Sequence, residues 1–213
     1  MSARDMSISG LSAAVAFAVA FALTTATGAL AYHTHFVQNN CFVKGGISIY
    51  PKSRYASLDW GYTAAYEGYQ WGGGCWNMND VDDSPGDPTE DPATGGEGPD
   101  CSGLVFKSWF ESSDQTRTDF WKWSTYNFVH GPYTAGAFKS GAGAANVTTS
   151  KSTMAPDDAF ASSTHIGLLY AQNFDGTDLV LEAKGESYGS GVWTRTYRGS
   201  TRYSGVRRVG WVS

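Results

Sequence analysis

Hydrophobic positions fall into three regimes along the chain. Residues 11–23 are almost all Ala, Val, Phe and Leu. From Leu104 the apolar positions Leu104, Val105, Phe106, Trp109 and Phe110 recur at helical spacing, which predicts a helix from Ser102 to about Glu111. From residue 164 onward the pattern changes to short runs over 164–170, 178–183, 191–197 and 205–211, separated by turn residues that include Asp175-Gly176. These runs predict strands. Helix first and antiparallel strands afterwards predict an α+β domain, an N-terminal helical part packed on a C-terminal antiparallel sheet. Elsewhere the pattern is weaker. Residues 62–69 can form a short helix, and residues 32–60 read as short strands or an extended N-terminal wrap. Residues 115–150, with Phe120, Trp121, Trp123, Tyr126 and Phe128, read as a short helix and then a long loop.

The first regime is a targeting signal. Arg4 supplies a weak positive start, residues 11–23 an apolar centre, and Ala29-Leu30-Ala31 small residues around one position before Tyr32. This is the layout of a secretory signal peptide over 1–31, and the run is short for a span of about 20 residues. The rest is expected outside the cytoplasm: an extension over 32–60, then a domain over 61–213. A chain of 213 residues with a formal charge of −5 has material for one core and no basic excess, which argues against nucleic acid as a partner.

Between these regimes lies the chemistry. Asp100 stands where an N-cap belongs, because its carboxylate can accept the free amide protons of the first helical turn. Cys101 then opens the helix, where unpaired N–H groups and the positive dipole end favour a thiolate nucleophile. A thiolate needs a base, and the chain has 4 histidines. His33 and His35 lie near the expected new terminus and His130 at a loop entry; His165 begins an apolar strand, where a rigid backbone can fix the imidazole. A third group that orients it should sit on the next strand and the same face. A tight Asp175-Gly176 hairpin sets Glu186 opposite His165; a longer loop centred nearer Asn173-Phe174 sets Glu182 there. Both carboxylates share the face, because strand alternation has period 2.

Four segments, in order, carry a family resemblance: Tyr69-Gln70-Trp71-Gly72-Gly73, Asp100-Cys101-Ser102-Gly103-Leu104-Val105, His165-Ile166-Gly167-Leu168-Leu169-Tyr170, and Leu181-Glu182-Ala183 with Gly191-Val192 beyond. Together they resemble the NlpC/P60 cysteine peptidases, a papain-like α+β fold that acts on cell-wall peptides. The resemblance implies Cys101 as nucleophile, His165 as base and later acid, and Glu182 as orienter. It implies Tyr69, Trp71 and Ser102 as substrate or oxyanion residues, with the Cys101 backbone N–H as a further donor. The chain departs from the family at Glu182, where His, Asn or Gln is usual, and at Pro156-Asp157-Asp158, where Pro-Gly-Asp is common. An acidic insertion over 77–99 is also longer than usual.

That insertion carries Asp80, Asp82, Asp83 and Asp87, which could ligate calcium, but it lacks the spacing of a calcium loop and reads as a solvated segment; no metal and no cofactor are expected. The glycines of Gly72-Gly73-Gly74 are not followed by Lys-Ser/Thr, so a nucleotide loop is excluded. Cys41 and Cys75 are left once the nucleophile is set aside, and both a disulfide and two free thiols stay open. The expected protein is a monomeric, secreted, cell-wall-associated cysteine endopeptidase or amidase that hydrolyses amide bonds in peptidoglycan stem peptides. An acyl-transfer or amidase effector toxin acting on other cells, and a non-catalytic wall-binding domain, are the alternatives.

Overall fold

The computed structural model describes residues 52–74, 76, 98–109, 130–142 and 146–212. The described residues all lie in the unit His33–Ser213. The signal segment, Cys41, Cys75, the calcium-type aspartates Asp80 to Asp87 and the aromatics Phe120 to Phe128 lie outside the described residues.

Two helices and a sheet position the site. The helix α1, Arg54–Tyr62, corrects the expectation of an extended wrap before residue 60 and a helix over 62–69. Ser53 starts it early by accepting the Ala56 N–H at 3.1 Å. It closes at Thr63, its C-cap, and the turn that follows ends at Tyr66 with a left-handed φ of 76°. The following backbone then docks on a strand edge, with Tyr66 N–H donating to Ser190 O and Ser190 N–H to Glu67 O, each at 2.9 Å. The expected domain start at residue 61 therefore falls inside α1. The helix α2, Cys101–Ser108, begins as the sequence predicts and is buried on all sides. It closes at Ser108, short of Glu111, with Trp109 as its C-cap; Phe110 and Glu111 lie outside the described residues. The indole of Trp109 donates to Asp157 O at 3.0 Å, pinning the end of α2 to the turn that precedes the central strands. Asp157 in that turn takes a left-handed φ of 70°, a conformation that Asp tolerates better than most side chains. A third helix, α3, spans Ala135–Lys139.

After a two-residue β1 (Lys52–Ser53), the strands are β2 (Asn146–Thr149), β3 (Ala159–Ala161), β4 (Ile166–Gln172), β5 (Asp178–Gly185), β6 (Gly189–Arg195), β7 (Ser204–Arg208) and β8 (Trp211–Val212). Six of them form one antiparallel sheet in the order β2-β7-β3-β4-β5-β6. The architecture is α+β, as expected. Two strands were not expected: β2 sits in the segment read as loop, and β3 has three residues. The run over 205–211 breaks at Gly210, and β8 leaves to pair in parallel with β1. Among the described residues no helix is long and apolar enough to cross a membrane.

Both faces of the central strands are covered. Ile166, Leu168 and Leu181 pack with Leu104 and Phe106 of α2. The alternate positions Leu169 and Val180 pack with Met154 and Phe160, under Tyr197 and Tyr203. This double burial explains why 166–170 reads as a continuous apolar run instead of an alternating one. It also means that a polar residue on the second face, such as Glu182, is cut off from water.

Asp158 ties the distant parts together. Its carboxylate is fully buried and receives Arg54 of α1 at 2.7 Å, Arg207 of β7 at 2.6 Å and the Ala155 N–H at 2.9 Å. Removing one partner of a buried pair leaves the others without solvation. Asp158→Ala should therefore lower unfolding free energy by more than about 2 kcal/mol in a urea titration; a loss under about 0.5 kcal/mol would contradict this role.

Candidate active site

The nucleophile position is built from the helix start. Asp100 accepts the Gly103 N–H at 2.6 Å and the Ser102 hydroxyl at 2.9 Å on one oxygen, and the Gly72 N–H at 3.1 Å on the other. One carboxylate thus caps α2 and draws the glycine loop onto it. A Cβ on Gly103 would lie 2.0 Å from Gly73 O, so this approach requires glycine. Ser102, expected near substrate, spends its hydroxyl on the cap. Trp71 is 73% exposed in the turn beside the cap, free to meet a ligand. His130 was passed over as a loop residue, yet its backbone N–H donates to Gly72 O at 2.7 Å, and its ring offsets part of the burial that raises the Asp100 carboxyl.

The thiol differs from the expected thiolate. Burial, and after it the neighbouring Asp100 carboxylate, push Cys101 up to about 12. The N–H groups of Ile166, Ser102 and Cys101 itself pull the other way and do not prevail. A helix N-terminus contributes roughly 0.3–2 kcal/mol, whereas taking an ion out of water costs several. Cys101 therefore rests as a neutral thiol.

The same contacts locate His165. Ile166, whose amide reaches the sulfur, directly follows His165, so the start of β4 meets the start of α2. Ser162 fixes the backbone of His165: its N–H donates to His165 O at 2.8 Å, and its hydroxyl accepts the His165 N–H at 2.9 Å. His165 Nε2 is 2.5 Å from Glu182 Oε2. Nδ1 lies on the other side of the ring from that contact.

Glu182 is the carboxylate that meets His165, in a register that matches neither hairpin expected from the sequence. Leu168 pairs with Leu181 and Leu169 with Val180, and a bulge at Tyr170 shifts the pairing to Ala171 with Leu179. One further step sets Gly167 opposite Glu182, so His165 is its diagonal neighbour on the same face. A Cβ on Gly167 would approach within 2.9 Å of Glu182 Cβ; glycine opens the diagonal path to the imidazole. Glu186 is not the partner.

Two groups that hold Glu182 were missed. Arg195 of β6 binds Oε1 through its Nε and Nη2, and the Tyr197 hydroxyl donates to Oε2 at 3.0 Å. Alternation along the 191–197 run placed both on one face, and that signal was available. Tyr197 is driven upward by burial and by Glu182, and Tyr69 by burial and then Cys101, so both phenols stay protonated as donors. Beside this hairpin, a hollow of about 490 Å³ between the end of α1 and β6 is walled by Tyr62, Tyr66, Tyr188 and Trp193 and floored by Gly191, the ladder partner of Glu182. Among the described residues no cluster of three or more His, Cys, Asp or Glu could hold a metal.

A neutral buried thiol has a measurable consequence. In His165→Ala, iodoacetamide should alkylate Cys101 at pH 7 more than about a hundredfold slower than an exposed cysteine. The rate should climb about tenfold per pH unit through pH 10. A plateau reached near pH 8 would mean that the helix terminus, not burial, sets the thiol. No protein-family model matches the chain, and no match was found among curated proteins or solved structures.

Proposed function

We propose that the chain is a papain-like cysteine peptidase of the NlpC/P60 type that hydrolyses amide bonds in peptidoglycan stem peptides. The observation that carries this reading is the pairing of His165 Nε2 with Glu182 at 2.5 Å while the next residue's amide reaches the Cys101 sulfur. A nucleophile, a base and a group that orients the base are the minimum for acyl transfer at a thiol. The ordered motifs support the substrate class, and the signal-peptide layout of residues 1–31 supports export to the cell wall; in this reading the enzyme acts as a monomer without cofactor.

In this reading the Cys101 proton passes to His165 Nδ1 as the sulfur attacks the carbonyl carbon. The resting thiol is neutral, so proton removal and attack proceed together. The oxyanion of the tetrahedral intermediate takes hydrogen bonds from the Cys101 N–H and the protonated Tyr69 phenol. The imidazolium then gives its proton to the leaving amine, and a thioester remains on Cys101. Water, deprotonated by His165, attacks the thioester and releases the acid, restoring the thiol. Trp71 and the aromatic hollow offer apolar surface for the rest of the substrate.

Cys101→Ala and His165→Ala should each abolish the release of new amino termini from purified cell wall, followed by mass spectrometry of the soluble fragments. Glu182→Ala should lower the rate more than Glu182→Gln, and Glu186→Ala should change it little. Unchanged release in either Cys101→Ala or His165→Ala would refute the assignment.

A further inference from the structure

The orienting group of this site is a carboxylate with no exposure, and a bare carboxylate there would bind the proton of the His165–Glu182 pair strongly. Such a pair would surrender its proton poorly to a leaving amine. Arg195 alters that balance. Its guanidinium meets Oε1 of Glu182, while the imidazole and the Tyr197 hydroxyl share Oε2. We propose that Arg195 is a positioning residue that joins Glu182 in a formally neutral unit, so that a glutamate presents itself to His165 as an uncharged acceptor would. The proposal rests on the reading of His165 as the base.

The geometry around Arg195 is specific to this task. Its guanidinium lies 5.7 Å from the Trp193 ring centre and 5.6 Å from that of Tyr197, so aromatic faces on both sides hold the planar cation against the carboxylate. Tyr203 stacks on Tyr197 at 3.9 Å, and Tyr197 meets the imidazole edge-on at 6.3 Å, which fixes the phenol that shares Oε2. A Cβ on Gly191, the ladder partner of Glu182, would lie 3.1 Å from the Trp193 ring, so glycine lets that ring pack close.

Other charges near His165 do not do this work. On β5, the Lys184 ammonium is drawn off to the Tyr188 ring, 3.4 Å from its centre. From α2, the Cys101 thiol is neutral at rest and the Asp100 carboxylate is engaged by its cap. From the loop side, Tyr69 stays protonated. Arg195 is the cation bonded to the carboxylate that orients the base.

The test is an NMR titration of the His165 imidazole in the full-length protein and its variants. Arg195→Met should raise the titration midpoint of the His165–Glu182 pair by about one pH unit or more above that of the unaltered protein. Adding Glu182→Gln to Arg195→Met should bring the midpoint back down, and Arg195→Lys, which keeps the charge, should leave it in place. If Arg195→Met does not fold, Arg195→Gln keeps a hydrogen-bond donor and must show the same rise. A midpoint unmoved by loss of the cation, in either folded variant, overturns the proposal. Cys101 alkylation in the unaltered protein keeps the two readings apart. A thiol whose alkylation is the same with and without His165 would defeat the peptidase reading, whereas the imidazole titration reports on Arg195 in either case.

Discussion

A carboxylate that water cannot reach must find all of its solvation inside the protein. Glu182 finds it in three donors delivered by three separate places: His165 at the head of β4, Arg195 at the end of β6 and Tyr197 just beyond it. Each donor is costly to leave unpaired, so the four groups fix one another. The remaining architecture serves this arrangement. Both faces of β4 and β5 are covered, which removes water from the carboxylate, and Gly167, where a Cβ would come within 2.9 Å of Glu182 Cβ, leaves room for the glutamate side chain.

The nucleophile obeys a different balance. A helix start whose amides turn toward a sulfur, here joined by the Ile166 amide of β4, is commonly taken as enough to ionise it. Here the same packing that brings those amides together also excludes solvent, and the cap itself is a negative charge one residue away. Burial wins because its cost exceeds what a helix terminus returns. Cys101 thus rests as a neutral thiol against the Ile166 amide, while Nε2 of the neighbouring His165 is committed to Glu182.

Much of this was legible in the sequence, for identifiable reasons. The start of α2 was readable because Asp100 followed by an apolar run is a local signal. His165 was readable because it begins a β-pattern. The face of Glu182 followed from alternation alone. The register did not, because the bulge at Tyr170 adds one residue to β4 and moves the pairing to a position between the two that a simple hairpin allows. The helix α1 was hidden because its cap is a lone serine and its exposed face carries Tyr55, which breaks any apolar periodicity. The state of Cys101 was hidden because burial is a property of the assembled core, and Arg195 because a cation is ordinarily read as a surface residue until its carboxylate is found.

Intact-mass spectrometry of the acid-quenched protein, taken during turnover of a peptidoglycan stem peptide, tests the central claim most directly. The account predicts an added mass equal to the acyl half of the cleaved peptide, mapped to Cys101 and absent when His165 is replaced by Ala. Hydrolysis that proceeds with no adduct on Cys101, or an adduct that forms equally well without His165, would contradict it.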